Sequence, residues 1–91
     1  MTAAGDQKEH QQGLEAEITL AKIQAGQRVR IVSHKGGRML RGRMLALGLN
    51  PGQVVEVLQN NRGQVIVGVN GGRIALGRGV SQKILVEAVD E

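Results

Sequence analysis

The chain contains no cysteine, no phenylalanine, tyrosine or tryptophan, and a single proline among its 91 residues. The absence of cysteine excludes a disulfide framework, a thiolate metal site and a cysteine nucleophile, and is compatible with a reducing cytoplasm. Aromatic side chains each bury on the order of 150–250 Å²; without them the core must be Val, Ile, Leu and Met, closely packed. Long apolar runs are also missing. No stretch approaches the ~18 consecutive apolar residues of a membrane-spanning helix, and the N-terminus lacks the basic start and apolar run of a signal peptide. A small cytoplasmic domain with no direct membrane insertion is therefore expected. Acid is scarce in the middle of the chain: between Ile18 and Val86 there are eleven Lys and Arg against one carboxylate, Glu56, a net of +10.

With 41% apolar residues and a mean hydropathy of −0.16, most of the chain can fold, and its length fits one domain near the lower limit for a self-sufficient core. Residues 1–17 differ from the rest. They are Gln-rich, hold Asp6, Glu9, Glu15 and Glu17 against Lys8 alone, and show no apolar periodicity. This segment reads as a disordered or weakly helical polar tail, followed by a domain over 18–89. Within the domain apolar residues recur in short blocks punctuated by glycine, of which the chain has fourteen, about twice the usual abundance.

The blocks alternate with period two, as half-buried strands do. In 27–34, Val29 and Ile31 oppose Arg28 and Arg30; in 53–59, Val55 and Val57 oppose Glu56. Val65, Val67 and Val69 share one face of 64–69, Ile74 and Leu76 follow, and Ile84 and Val86 close the series. Asn70-Gly71 supplies the positive φ angles of a tight hairpin. Five short strands with tight turns predict a mainly β fold, a small bent barrel that leaves few exposed edges. Residues 38–47 break the alternation. They are good helix formers with Leu40, Met44 and Leu47 at helical spacing, Gly48 at the left-handed cap position and Pro51 barring continuation. The spacing predicts a short helix plugging one end of the barrel, and a single helical turn over about 78–82.

Catalytic chemistry has little to work with. His10 falls in the tail and His34 at a strand end, both read as solvated side chains. Thr19, Ser33 and Ser81 lack a base nearby in sequence. No cluster has metal-ligand spacing, and the Gly-x-x-x-x-Gly-Lys-Ser/Thr phosphate loop is absent. The expectation is a non-enzyme with no metal and no cofactor. Arg28, Arg30, Lys35, Arg38, Arg41 and Arg43 instead form a basic cluster without one acid. Arginine pairs bidentately with carboxylate or phosphate. Barrels that grip single-stranded nucleic acid normally add aromatic platforms, which this chain lacks, so an acidic protein surface fits the cluster better. Arg38, Arg41 and Arg43 are the partner-binding candidates. Leu58, Ile66 and Leu85 share strand parity with polar residues and form a second candidate, an apolar patch for a partner or for a second copy of the chain.

From Ile18 to about Val89 the elements stand in a definite order: Ile18-Thr19-Leu20, the Gly26 turn and strand, the double glycine, the run Arg43-Met44-Leu45-Ala46-Leu47-Gly48-Leu49-Asn50-Pro51-Gly52, then Ile74-Ala75-Leu76, Ser81 and Ile84-Leu85-Val86. This ordered set resembles the FeoA family, small cytoplasmic companions of the bacterial ferrous-iron transporter FeoB. Gly48, Leu49, Pro51 and Gly52 carry the structural motif Leu-Gly-Leu-x-Pro-Gly. Departures fall at Gly42, Ala46, Gly77 and Gly79, where charged residues are more usual. The resemblance implies a five-stranded SH3-like barrel and an accessory role in ferrous iron uptake through contact with the cytoplasmic domains of FeoB. An SH3-like nucleic-acid-binding module and a free-standing metal-responsive domain are the alternatives; oligonucleotide binding and equilibrium dialysis against ferrous or zinc ions separate them.

Overall fold

A computed structural model of the chain describes residues 18–89. The mainly β expectation holds, with six strands rather than five: β1 (Ile18–Thr19), β2 (Arg28–His34), β3 (Val54–Asn61), β4 (Gln64–Val69), β5 (Gly72–Leu76) and β6 (Ile84–Ala88). The extra strand is β1, two residues paired antiparallel with β6 (Ile18 opposite Val86). Two residues are too few for alternation to reveal. A 3₁₀ turn, Leu20–Lys22, follows it, and two helices, α1 (Arg38–Ala46) and α2 (Arg78–Ser81), interrupt the strands. The tail expected over 1–17 lies outside the described residues.

All pairings are antiparallel in one sheet of order β1-β6-β2-β3-β4-β5. The sheet curls around one apolar cluster that takes Val29 and Ile31, Val55 and Val57, Val65, Val67 and Val69, Leu76, and Ile84 and Val86 from five strands. These are the inward residues that the alternation selects. Bends are made where an extra residue interrupts the ladder: register shifts occur between Ile31 and Ser33 in β2 and between Val57 and Gln59 in β3. Such bulges increase local twist and help a short sheet close on its core. Both hairpins turn through two residues of positive φ, Arg62 (57°) with Gly63 (96°), and Asn70 (53°) with Gly71 (80°), which match the twist of the flanking strands.

The chain leaves α1 by a Schellman motif. Leu47 is the capping residue, one position earlier than expected for the end of the helix. Gly48 takes φ of 82°, its N–H donates to the Leu45 carbonyl (3.1 Å) and that of Leu49 to the Met44 carbonyl (2.8 Å). Leu49 and Met44 are both fully buried, the apolar contact that accompanies this cap. Asn50-Pro51-Gly52-Gln53 then makes a type II turn: proline stands at its second position, Gly52 has φ of 93°, and the Gln53 N–H donates to the Asn50 carbonyl at 2.9 Å. The Gly52 N–H donates to the Ile31 carbonyl at 2.7 Å, tying the turn to β2. Gly48, Leu49, Pro51 and Gly52 thus form the joint that carries the chain from helix back to sheet.

Candidate functional site

Arg28 and Arg30 alternate with Val29 and Ile31 on β2, so they stand on the outer sheet face. Arg30 Nη1 lies 3.3 Å from Glu87 Oε2, with both side chains substantially exposed. Arg28 sits opposite Glu56 in the β2–β3 register. The two carboxylates among the described residues therefore share a face with two of the six cations of the sequence cluster. Lys35, Arg38, Arg41 and Arg43 leave that face and are all exposed. Sequence proximity merges the six; the bend of the chain after His34 separates them.

One of the separated cations, Lys35, gains a companion that is remote in sequence. The Lys35 N–H donates to the Lys83 carbonyl at 2.7 Å, bringing exposed Lys83 beside the start of the helical segment. Arg78 Nε donates to the Arg62 carbonyl at 2.8 Å, which fastens α2 to the β3–β4 hairpin. Among the described residues, none of Lys35, Arg38, Arg41, Arg43, Arg62, Arg78 or Lys83 makes an ion pair. Only the tertiary fold brings Lys83 beside Lys35 and Arg78 beside Arg62, two pairings that proximity in sequence does not reveal.

α1 buries little of itself. Met44 is fully buried, and Leu40 and Leu47 pack partly buried against the core. Rather than plugging the barrel as a buried stopper, the helix lies against the core along one narrow stripe, with Arg38, Arg41 and Arg43 exposed together with Gly42 and Ala46. Met39 is 90% and Leu45 64% exposed. Sequence reading passes over these two, since a methionine and a leucine inside a helix are ordinarily counted as core.

The second candidate set does not form one patch. Leu58 is exposed, lies at the β3 bulge and rests beside Gly68; Ile66, half-buried, is on neighbouring β4 opposite Ala75. Leu85, also half-buried, stands on β6 between Thr19 and Ser33, with β2 and β3 separating it from β4. Ile66 lines a shallow cleft of about 300 Å³ with Gln59, Asn61, Gln64 and Ala75; its lining holds no acid, base or nucleophile.

His34 differs from its reading as a solvated side chain. It is half-buried, and Nε2 donates to the Leu49 carbonyl at 3.0 Å, bracing the end of β2 against the helix exit. Ser81 is fully buried and its hydroxyl donates to the Gly63 carbonyl at 2.5 Å, a structural bond. Asn60, which the sequence did not single out, is a three-way bracket. Its Nδ2 donates to the carbonyls of Ala21 (2.9 Å) and Ile23 (2.7 Å), and its Oδ1 accepts from the Gly63 N–H (2.9 Å). Among the described residues no group of three His, Cys, Asp or Glu could hold a metal ion, and no helix is long and apolar enough to cross a membrane.

The curled antiparallel sheet with its short helices defines a small SH3-like domain that carries an exposed basic helix. Residues 18–88 match the model of the FeoA domain. A protein of Methanocaldococcus jannaschii that carries the name Fe(2+) transport protein A is 35% identical over 68 residues, 75% of this chain and 83% of the relative. The chain belongs to the FeoA family. The crystal structure of an iron uptake regulatory protein (FeoA) superposes with a TM-score of 0.75 at 28% identity, covering 80% of this chain and 99% of the other. FeoA from Chlorobium tepidum gives 0.71 at 25%, covering 80% and 71%. A manganese-dependent transcriptional repressor shares the fold alone, with 0.74 at 16% identity over 42% of its length.

Proposed function

We propose that this chain is a non-enzymatic accessory protein of ferrous iron uptake that acts in the cytoplasm by binding the cytoplasmic part of the FeoB transporter. Membership of a family whose relatives are named for Fe(2+) transport and iron uptake regulation supports the process. The single observation that carries the mode of action is α1, whose three arginines are exposed and unpaired among the described residues. Adjacent arginines repel one another, and an acidic partner surface relieves that repulsion while speeding encounter. Arg38, Arg41 and Arg43 are the primary contacts; Leu58 and Ile66 offer a smaller apolar contact elsewhere, and Leu85 a separate one.

Biolayer interferometry with the purified cytoplasmic domains of FeoB from the same organism tests this. Binding is expected, with an association rate that falls steeply as salt is raised. Absence of binding at low salt would overturn the proposal. A single-stranded oligonucleotide that bound more tightly than those domains would favour the nucleic-acid module instead.

A further inference from the structure

The exposed side of α1 is not uniformly cationic. At roughly 100° per residue, the residues facing away from Leu40, Met44 and Leu47 fall in the order Arg41, Leu45, Arg38, Gly42, Ala46, Met39, Arg43 around the helix. Leu45, Gly42, Ala46 and Met39 form an apolar strip about 120° wide, interrupted by Arg38 only in the first turn and bounded by Arg41 on one side and Arg43 on the other. All seven residues are exposed, with Met39 at 90% and Leu45 at 64%. The helix is thus apolar on two sides, and one of them covers nothing among the described residues.

The relief of this strip is specific. Met39 and Leu45 are projecting side chains, while Gly42 and Ala46, four residues apart and so neighbours on the surface, leave a depression between them. Nothing in the fold requires the glycine: a Cβ at Gly42 would meet no atom within 4 Å, and alanine is the better helix former there. Glycine is of use where another backbone or ridge must approach closely. The surface therefore combines projecting apolar side chains, a hollow between them and positive charge on both edges.

We propose that this outer face of α1 docks one helix of the partner, an amphipathic segment whose apolar ridge enters the hollow over Gly42 and Ala46 between Met39 and Leu45. Acidic residues on its two flanks meet Arg41 and Arg43. Helices are recognised in this way through an apolar seam with charged edges. Charge complementarity selects the acidic flanks, since no carboxylate among the described residues pairs with these arginines. The hollow selects a ridge over a flat surface, which favours a helix over the plane of an anionic bilayer. The inference rests on the accessory reading above and assigns the chemistry of the segment that the partner presents.

Gly42→Leu separates docking from folding. The position is open and lacks positive φ, so the variant should melt at or above the wild-type temperature while filling the hollow. Binding to the cytoplasmic domains of FeoB is measured by isothermal titration for wild type, Gly42→Leu and Met39→Ser/Leu45→Ser. The expected result is a loss of at least tenfold in affinity for both variants with the fold intact by circular dichroism. Wild-type binding that Gly42→Leu leaves unchanged would overturn the docked helix and leave the accessory role standing. Failure of the wild type to bind would overturn the accessory role and the docked helix with it. Vesicles of phosphatidylglycerol and phosphatidylethanolamine form the remaining arm: tight binding lost in Met39→Ser/Leu45→Ser but retained in Gly42→Leu would assign the face to lipid and overturn the proposal.

Discussion

Asn60→Ala should destabilise the domain more than any other single exposed or half-buried polar substitution in it. Asn60 makes three hydrogen bonds of 2.7–2.9 Å to main-chain groups, at Ala21, Ile23 and Gly63. Through them the 3₁₀ turn near the chain's entry and the β3–β4 hairpin are held to one side chain. A hydrogen bond contributes about 0.5–1.5 kcal/mol net, and a buried group left unpaired costs more. Gly63 and Ile23 are themselves buried, so water cannot readily replace all three bonds. A loss of about 2–4 kcal/mol follows, a large part of the ~5–15 kcal/mol that stabilises a typical domain. Urea unfolding followed by far-ultraviolet circular dichroism measures it, since the chain has no aromatic residue to report by fluorescence. Asn60→Asp keeps the acceptor for Gly63 but sets a carboxylate against two carbonyl oxygens, and at neutral pH should be no more stable than the alanine variant. An Asn60→Ala protein within about 0.5 kcal/mol of wild type would show that these bonds contribute less than a typical net hydrogen bond.

Two further substitutions probe backbone conformation. Gly48→Val should lower stability by about 1 kcal/mol or more, because a β-branched residue resists the left-handed cap conformation and its Cβ would stand 3.2 Å from Asn70 Nδ2; an unchanged melting temperature would contradict the role given to the cap. Arg62→Gly should instead raise stability by up to about 1 kcal/mol, since Arg62 holds φ of 57° at a position that favours glycine. The bond from Arg78 to the Arg62 carbonyl survives that change, so a lowered unfolding midpoint would mean that the arginine side chain itself is needed by the fold.

Much of this fold is legible in the sequence because it is written in short-range rules. Alternation identifies the inward valines of β2, β3 and β4 as core, Asn70-Gly71 announces its hairpin, and Gly48 with Pro51 marks the helix end to within one residue. β1 escapes because a two-residue strand has no period, and its pairing with β6 joins segments remote in sequence that meet only in the folded state. The candidate interface is half legible. Arg38, Arg41 and Arg43 declare themselves by local density. That Arg28 and Arg30 share the acid-bearing sheet face, that Lys83 stands beside Lys35 and that Arg78 stands beside Arg62 all depend on pairings remote in sequence. Met39 and Leu45 are misread by any scheme that assigns apolar helix residues to the core. In a domain this small the helix has only one side to bury, and Leu40, Met44 and Leu47 already fill it.

Whether the exposed cations of α1 bind the transporter's cytoplasmic domains, as proposed, is decided by the Arg41→Glu/Arg43→Glu protein. Its comparison is Arg30→Glu/Arg73→Glu, which changes net charge equally but on the strands rather than the helix. Measured at low salt by isothermal titration, with folding verified by circular dichroism, the helix variant should lose about tenfold or more in affinity and most of its salt dependence. The strand variant should lose far less. Equal affinity for the helix variant and wild type, both correctly folded, would contradict the claim and reduce the basic helix to a solvated surface.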